Sequence, residues 1–130
     1  MSPRIYPTVA ETIEAHRLLI EDSGGLQAVR DMGLLESAVA RPRNGYYRNL
    51  IEEASALMEA LANNHASIDG NKRVRFVMTD VLLRVNGHYL DVEPLEAHEF
   101  ITKAMEKNEF GFPTIRDWIA AVVRPLTGDE

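Results

Sequence analysis

Two helical patterns separated by a short polar segment constrain the fold of this chain more than any other feature. Over residues 49–63, apolar side chains recur at intervals of three and four residues, which is the spacing of one buried helix face. A second pattern of this kind follows over residues 74–85, and Asn86 and Gly87 close it. The sequence therefore predicts two long helices joined by the polar segment between them.

Helical patterns also dominate the N-terminal part of the chain. Thr8 is suited to cap a first helix, which Gly24 and Gly25 would end. A short helix is then expected to begin at Asp31 or Gly33 and to run through Ala40. These helices would pack beside the central pair.

The C-terminal third predicts one extended segment and two more helices. Residues 88–92 alternate between polar and apolar side chains, which is typical of a strand at the edge of a small hairpin. Pro94 is expected to lie early in a helix that continues to about residue 107, and a last helix follows residues 110–113. The residues expected to face inward are Leu95, Phe100, Ile101 and Met105 in the first of these helices, and Ile115, Trp118, Ile119, Val122 and Val123 in the second. We therefore expect an all-α bundle with at most a short β-hairpin.

Length and composition favour one domain over residues 1–130, with enough chain for a hydrophobic core. The chain has no cysteine, so it offers neither a disulfide framework nor a thiol nucleophile. Its net charge of −6 argues against non-specific nucleic-acid binding, which depends on Lys and Arg meeting phosphates. No apolar run approaches the length of a membrane span. A cytoplasmic protein without a nucleic-acid or membrane partner is expected.

The polar segment over residues 65–73 combines side chains that few structural roles require together. His65 can accept a proton near neutral pH, and Asp69 can hold a divalent cation through oxygen. The segment ends as a turn and a helix N-cap, and the free amides of a helix N-terminus beside two cations form a phosphate site. A turn, a cap and a solvated ion pair would explain each residue singly, but the combination favours transfer of a nucleotide's phosphoryl group. The residues concerned are His65, Asp69, Gly70, Asn71, Lys72 and Arg73.

This segment resembles the core motif of the Fic/Doc superfamily. The family pattern is His, any residue, Phe, any residue, Asp or Glu, Gly or Ala, Asn, Gly or Lys, and Arg, and the chain departs from it only at Ser67, which replaces Phe. Lys72 stands where AMP-transferring members carry Gly, and it indicates the death-on-curing (Doc) branch of toxins. Residues 33–42 are also similar to an upstream segment of Doc-like proteins. The resemblance implies an all-α Fic/Doc-like bundle in which the motif loop joins two central helices.

The resemblance also implies a mechanism and a set of ligands. ATP would place its phosphates over the amides of Gly70 and Asn71, Lys72 and Arg73 would neutralise charge, and Asp69 would hold Mg²⁺. His65 would accept the proton of a target hydroxyl, which in Doc-like toxins is a threonine of translation elongation factor Tu. Transfer of AMP is the alternative, and a non-catalytic module that binds a nucleotide or an antitoxin is the rival from another class. Ser67 bears on the choice between an enzyme and a binding module. The Phe that it replaces packs the motif loop into the core of family members. Burial of such a ring stabilises the loop by about 2 kcal/mol, which a Ser cannot supply.

Two further expectations concern partners of the motif. The family's inhibitory helix reads Ser or Thr, three residues, Glu, then Gly or Asn. The near matches that begin at Ser55 and Thr102 do not complete that pattern, so inhibition is expected from a separate small antitoxin. Residues 41–48 form a locally basic and aromatic stretch. We interpret it as either a solvated loop or a flap before the motif that binds the nucleotide or the target chain.

Overall fold

The computed structural model describes residues 4–8, 10–11, 14, 32–63 and 71–126, and for residues 32–35, 62–63, 71–75 and 94 it describes the backbone alone. Short helices and one small sheet make up this part of the chain. In chain order the elements are α1 (Met32–Ala40), a 3₁₀ turn (Arg41–Arg43), α2 (Leu50–Asn63), α3 (Asn71–Arg84), β1 (His88–Leu90), α4 (Pro94–Glu106), α5 (Phe112–Val122) and β2 (Val123–Pro125). The expectation of an all-α fold is confirmed.

Helix α2 lies at the centre of the described structure. It packs against α1, the 3₁₀ turn, α3 and α5. Its burial is nearly continuous, because a run of small residues allows neighbouring helices to approach from several sides and large residues follow it. The fully buried residues of α2 include Ala54, Ser55, Ala56, Leu57 and Met58.

Helix α3 packs along α2 and completes the central pair. Its buried side chains are Met78, Thr79, Leu82 and Leu83. The helix ends in a turn at Gly87, whose φ of +89° lies in the left-handed region that glycine adopts without strain. The predicted end of this helix is therefore confirmed.

The extended segment after α3 is confirmed, but its partner is not a neighbouring hairpin strand. β1 pairs antiparallel with β2, with Leu90 opposite Val123 and His88 opposite Pro125. Val123, expected on the inward face of the last helix, instead begins β2. Asp80 of α3 fixes this arrangement, because its Oδ1 accepts a hydrogen bond of 2.9 Å from the backbone N–H of Leu90.

The inward face predicted for helix α4 is partly wrong. Ile101 is buried and Phe100 is half-buried, but Leu95 is 69% exposed and Met105 is 37% exposed. The face that packs inward carries small residues at helical spacing. It consists of Ala97, Ile101 and Ala104.

The last helix packs as predicted around its aromatic residue. Ile115 and Ile119 of α5 are fully buried. The Trp118 ring stacks on Phe100 of α4, with ring centroids 4.5 Å apart and an interplanar angle of 6°. The interpretation of Trp118 as a core residue is confirmed.

The N-terminal segment confirms the predicted cap. The Thr8 Oγ1 accepts a hydrogen bond from the backbone N–H of Glu11, and Glu11 Oε1 accepts one from the backbone N–H of Thr8. This reciprocal pair is a capping box, and Ala10, Glu11 and Glu14 are helical. The predicted end of this helix at Gly24 and Gly25 lies outside the described residues. None of the described helices is both long enough and apolar enough to cross a bilayer.

Asn86 joins the end of α3 to the N-terminal segment, so substitutions of this residue test how much that connection stabilises the fold. Its Oδ1 accepts a hydrogen bond from the backbone N–H of Ile5, and its Nδ2 donates to the carbonyls of Ile5 and Leu82. We expect Asn86→Ala to lower the free energy of unfolding by about 2 kcal/mol, because these three bonds are lost. Urea denaturation measures this change.

The variant Asn86→Asp is the matched control for that prediction. It keeps the Oδ1 acceptor but sets a carboxylate oxygen against the carbonyls of Ile5 and Leu82, so its free energy of unfolding should be no higher than that of Asn86→Ala. A loss below about 0.5 kcal/mol in Asn86→Ala would contradict the role given to this side chain.

Candidate functional site

The structure places the motif between the ends of the two central helices. α2 ends at Asn63 and α3 begins at Asn71, so Lys72 and Arg73 lie in the first turn of α3 as predicted. Asn71, expected in the turn and N-cap, is instead the first residue of the helix. His65, Asp69 and Gly70 lie outside the described residues, as do the side chains of Asn71, Lys72 and Arg73. Their assigned roles therefore stay predictions.

Contacts of the N-terminal segment show how α2 and α3 are oriented. The Arg4 Nε donates to Glu53 Oε1, 2.9 Å away in the first turns of α2, and the adjacent Ile5 bonds to Asn86 just after α3. The start of α2 and the end of α3 therefore lie together, and the two helices run antiparallel. We call the opposite end, where α2 ends and α3 begins, the motif end.

Helix α5 ends beside β1, at the far end of the central helix pair. Its last residue leads directly into β2, which pairs with β1, and β1 follows the far end of α3. The helix has 11 residues, which corresponds to a length of about 16 Å. Phe112, its first residue, therefore lies one helix length away from β2.

Three side chains join the segment before α2 to the last turns of α2. The Arg41 Nε donates to the Tyr47 hydroxyl over 3.0 Å, and an Arg41 terminal nitrogen donates to Glu59 Oε1 over 2.6 Å. Glu59 lies four residues before the end of α2, so this contact is about 6 Å along the helix axis from the motif connection. We call Arg41, Tyr47 and Glu59 the latch.

The latch is extended by an aromatic contact to α5. The Tyr47 ring stacks on Phe112 with centroids 5.7 Å apart and an interplanar angle of 28°. The residues before α2 are thereby held to α2 and to the start of α5. The sequence singled out Arg41 and Tyr47, but it offered no signal for Glu59 or Phe112 as their partners, because these residues are distant along the chain.

The latch favours the charged form of the Arg41 guanidinium, which is protonated at physiological pH in any case. Burial lowers the pKa of Arg41, but the hydrogen bonds to Tyr47 and Glu59 together outweigh it and raise the pKa above its ordinary value. The two charged side chains are 34% and 18% exposed, so water screens the pair only in part. The contact is therefore an ion pair with a specific geometry rather than a solvated charge.

An open depression lies beside Arg41. It has a volume of about 470 Å³ and is lined by Ser37, Ala40, Arg41, Asn44 and Ala60. Ala60 belongs to the last turns of α2, so the depression is also near the motif end. Asn44 is the first residue after the 3₁₀ turn, which brings the start of the loop over residues 44–49 to this place.

The two near matches to an inhibitory helix have different environments. The Ser55 hydroxyl is buried and donates to the Ile51 carbonyl over 2.7 Å, and Glu59 is engaged by Arg41. Glu106 is exposed at the end of α4, and Thr102 Oγ1 is buried without a hydrogen-bond partner. Ser55 and Glu59 thus have structural roles within and beside α2.

No metal site is visible among the residues that the structure describes. That part of the chain has no cluster of three or more His, Cys, Asp or Glu side chains able to hold an ion. His88 approaches the Asn86 carbonyl at 3.3 Å, which is a local turn contact. The predicted Mg²⁺ ligand, Asp69, belongs to the undescribed segment.

The latch predicts a measurable dependence of stability on Glu59. We expect Glu59→Gln to lower the free energy of unfolding by about 1 kcal/mol, because Arg41 loses its carboxylate partner in a partly buried place. Glu106→Gln, at an exposed carboxylate, should leave it unchanged. Urea denaturation of the two variants and the parent tests this, and equal stabilities of all three would contradict the role of the ion pair.

Comparison with known proteins agrees with the motif and the helical architecture. A family model described as the Fic/DOC family matches residues 6–83, which is more than half of the chain. A curated protein named Toxin Doc, from Mycolicibacterium smegmatis, is 45% identical over 69 residues, a match that covers 49% of this chain and 53% of that relative. The chain thus spans about half the length of this relative. The family match includes the latch, the motif and the two central helices up to residue 83. It shows that the chain belongs to the Fic/DOC family.

Proposed function

We propose that this protein is the toxin of a toxin–antitoxin pair and transfers a phosphoryl group from ATP to a hydroxyl of a target protein. The observation that carries the proposal is the placement of the family motif, whose last residues form the first turn of α3. Similarity to a protein named Toxin Doc supports the toxin role. Expected properties include a cytoplasmic location and a threonine of elongation factor Tu as the acceptor.

The motif residues have the chemistry that the transfer requires. His65 accepts the proton of the acceptor hydroxyl, since imidazole takes up a proton near neutral pH. The amides at the start of α3 bind phosphate oxygens, and Lys72 and Arg73 offset negative charge there. The Asp69 carboxylate supplies the oxygen ligands that suit Mg²⁺. Bound Mg²⁺ would supply charge neutralisation on the transferred group.

Lys72 favours phosphoryl transfer over AMP transfer. Its ammonium adds positive charge at a position where AMP-transferring members of the family carry Gly, and the extra charge suits the γ-phosphate facing His65. The second Arg typical of the AMP-transferring branch is also missing, because position 76 is Phe. Arg75 is one residue early, which places it about 100° away around the helix.

A second candidate function is a non-catalytic module that binds a nucleotide or an antitoxin. Ser67 favours this alternative, because it replaces the Phe that anchors the motif in the family. Such a module would show a rise in melting temperature with Mg²⁺ and ATP without modifying any protein. The enzyme is expected to show both effects.

Intact mass of cytosolic proteins incubated with this protein, Mg²⁺ and ATP tests the proposal. We expect one protein to gain the mass of a phosphoryl group, and a gain of one AMP would instead establish AMP transfer. His65→Ala should reduce the rate by at least about 100-fold, because the general base is removed. His98→Ala, on α4, is the matched control and should retain activity.

Two results would contradict the enzymatic proposal. Transfer that survives in His65→Ala would remove His65 from the mechanism. A thermal shift with ATP but no mass gain in any protein would favour the binding module, and Ser67→Phe would then show whether the missing anchor is the cause.

Inhibition by a separate antitoxin is a further expectation of the proposed function. Glu59, one of the residues of the near match in α2, is already bound to Arg41, so this helix does not offer its carboxylate to the motif. We expect the small protein encoded beside this gene to form a stable complex on size exclusion and to abolish transfer. Absence of a small neighbouring gene, or transfer that persists within the complex, would contradict this expectation.

A further inference from the structure

A row of side chains along α4 and its caps has acidic residues at its start, an aromatic residue in the middle and basic residues at its end. Its members follow one another at alternating intervals of three and four residues, so they share one face of the helix. The row consists of Glu93, Glu96, Phe100, Lys103 and Lys107. The charged members are exposed. Their charges cancel, although the chain as a whole carries a net charge of −6.

The middle of the row is extended by an aromatic pair. Phe100 stacks on Trp118 of α5 with nearly parallel rings, and both side chains are only half-buried. They therefore form an apolar surface in contact with solvent, and the charged residues of the row lie on either side of it along α4. An apolar centre with a polar rim is the arrangement found in protein interfaces.

The two lysines of the row have no ion-pair partner among the described residues. At the other end, Glu96 Oε1 accepts a hydrogen bond of 3.4 Å from the backbone N–H of Glu93, which holds this carboxylate near the helix start. The helix dipole favours acidic residues first and basic residues last, but it does not require them to share one face with the aromatic pair. The row therefore offers Lys103 and Lys107 to carboxylates of another molecule.

We propose that the row is a self-association surface, on which α4 of a second copy of this chain packs antiparallel. With the two-fold axis beside Phe100, residues before position 100 in one copy lie level with residues after it in the other. Glu93 is seven residues before Phe100 and Lys107 is seven after it, so these two lie at the same height. Glu96 is four before and Lys103 is three after, an offset of about 1.5 Å. Each acidic residue thus meets a lysine of the second copy.

A second copy fits this row better than an unrelated protein does. A two-fold interface brings the same patch of both molecules together, so the patch must be complementary to itself. The order of charge in the row gives that complementarity only in the antiparallel direction, because parallel packing would set each charge against its own kind. The Phe100 and Trp118 rings of both copies then come together around the axis, where the contact removes their exposed surface from water.

The single tryptophan of the chain reports this association directly. Because Trp118 lies beside the proposed axis, its emission should shift to shorter wavelength as the protein concentration rises from about 5 to about 500 µM, the range in which weak interfaces assemble. Sedimentation velocity over the same range should show a monomer and a dimer. Raising the ionic strength from about 0.05 to about 0.5 M should weaken the dimer, because the ion pairs are exposed. Neither ATP nor an acceptor protein is needed, so the outcome is independent of the proposed function.

Two charge reversals test the pairing of Glu96 with Lys103. Lys103→Glu alone and Glu96→Lys alone each set like charges together at both symmetric positions, and each should raise the dissociation constant of the dimer by at least about tenfold. When the two variants are mixed, opposite charges meet again at both positions, so they should form a heterodimer with the affinity of the parent dimer. Sedimentation with one variant labelled measures this.

The matched control for these variants is Glu106→Lys. Glu106 is exposed on α4 and lies about 100° around the helix from Lys107, so it is outside the row. Its reversal changes the net charge by the same amount as Glu96→Lys and should leave the dissociation constant unchanged. Lys107→Glu, which reverses a charge within the row, should again weaken the dimer.

Three results would overturn the proposal. One is a parent protein that stays monomeric over the whole range of concentration. Another is an equal loss of association in Glu106→Lys, which would indicate a general effect of charge. The third is a failure of the two reversed variants to associate when mixed, although far-UV circular dichroism shows both to be folded. Should Glu96→Lys lose helicity because Glu96 also accepts the Glu93 N–H, unchanged association in Lys103→Glu and Lys107→Glu would overturn the proposal instead.

Discussion

Close packing around α2 is the constraint on which the rest of the described structure depends. Ala54, Ser55 and Ala56 follow one another without any exposed surface, and such small side chains permit neighbouring helices to approach on several sides. Leu57 and Met58 then fill the space between the helices. Any larger residue at the small positions would overpack the core, because protein interiors contain few voids to absorb extra volume.

The buried Ser55 shows how this helix tolerates a polar group in its centre. Its hydroxyl donates to the Ile51 carbonyl one turn earlier, so the polar atom is satisfied inside the helix itself. Glu53 is also buried, and Arg4 pairs with it. The pKa of the nearby Tyr6 hydroxyl is raised, first by burial and then by the Glu53 carboxylate. Polar groups around α2 therefore form specific contacts with the N-terminal segment.

The sequence predicted those features that depend on local pattern. Helical spacing identified α2 and α3, Thr8 indicated a cap, and Gly87 indicated the end of α3. The inward face of α4 was predicted only in part, because large apolar residues dominate a helical pattern and the buried face includes Ala97 and Ala104. Small residues carry little hydrophobic signal, although they allow the closest packing.

Contacts between distant residues were the other limit of prediction. The pairing of β1 with β2 brings Leu90 opposite Val123, and no local spacing predicts which strand will meet which. The same holds at the candidate site, where Arg41 and Tyr47 stood out but Glu59 and Phe112 did not. The motif was identifiable because its residues are consecutive, whereas the latch is assembled by the fold.

Side-chain contacts outside the motif connection hold the far end of the central helix pair and tie α2 to the segment before it. At the far end, Arg4 binds Glu53 and Ile5 binds Asn86, which ties the start of α2 to the end of α3. At the motif end, Arg41 and Glu59 join α2 to the segment before it. These contacts are formed by residues other than Ser67, which stands where the family has Phe. Membership of the family rests on the match over residues 6–83, whereas catalytic activity depends on the motif in which Ser67 lies, so the two are separate questions for this chain.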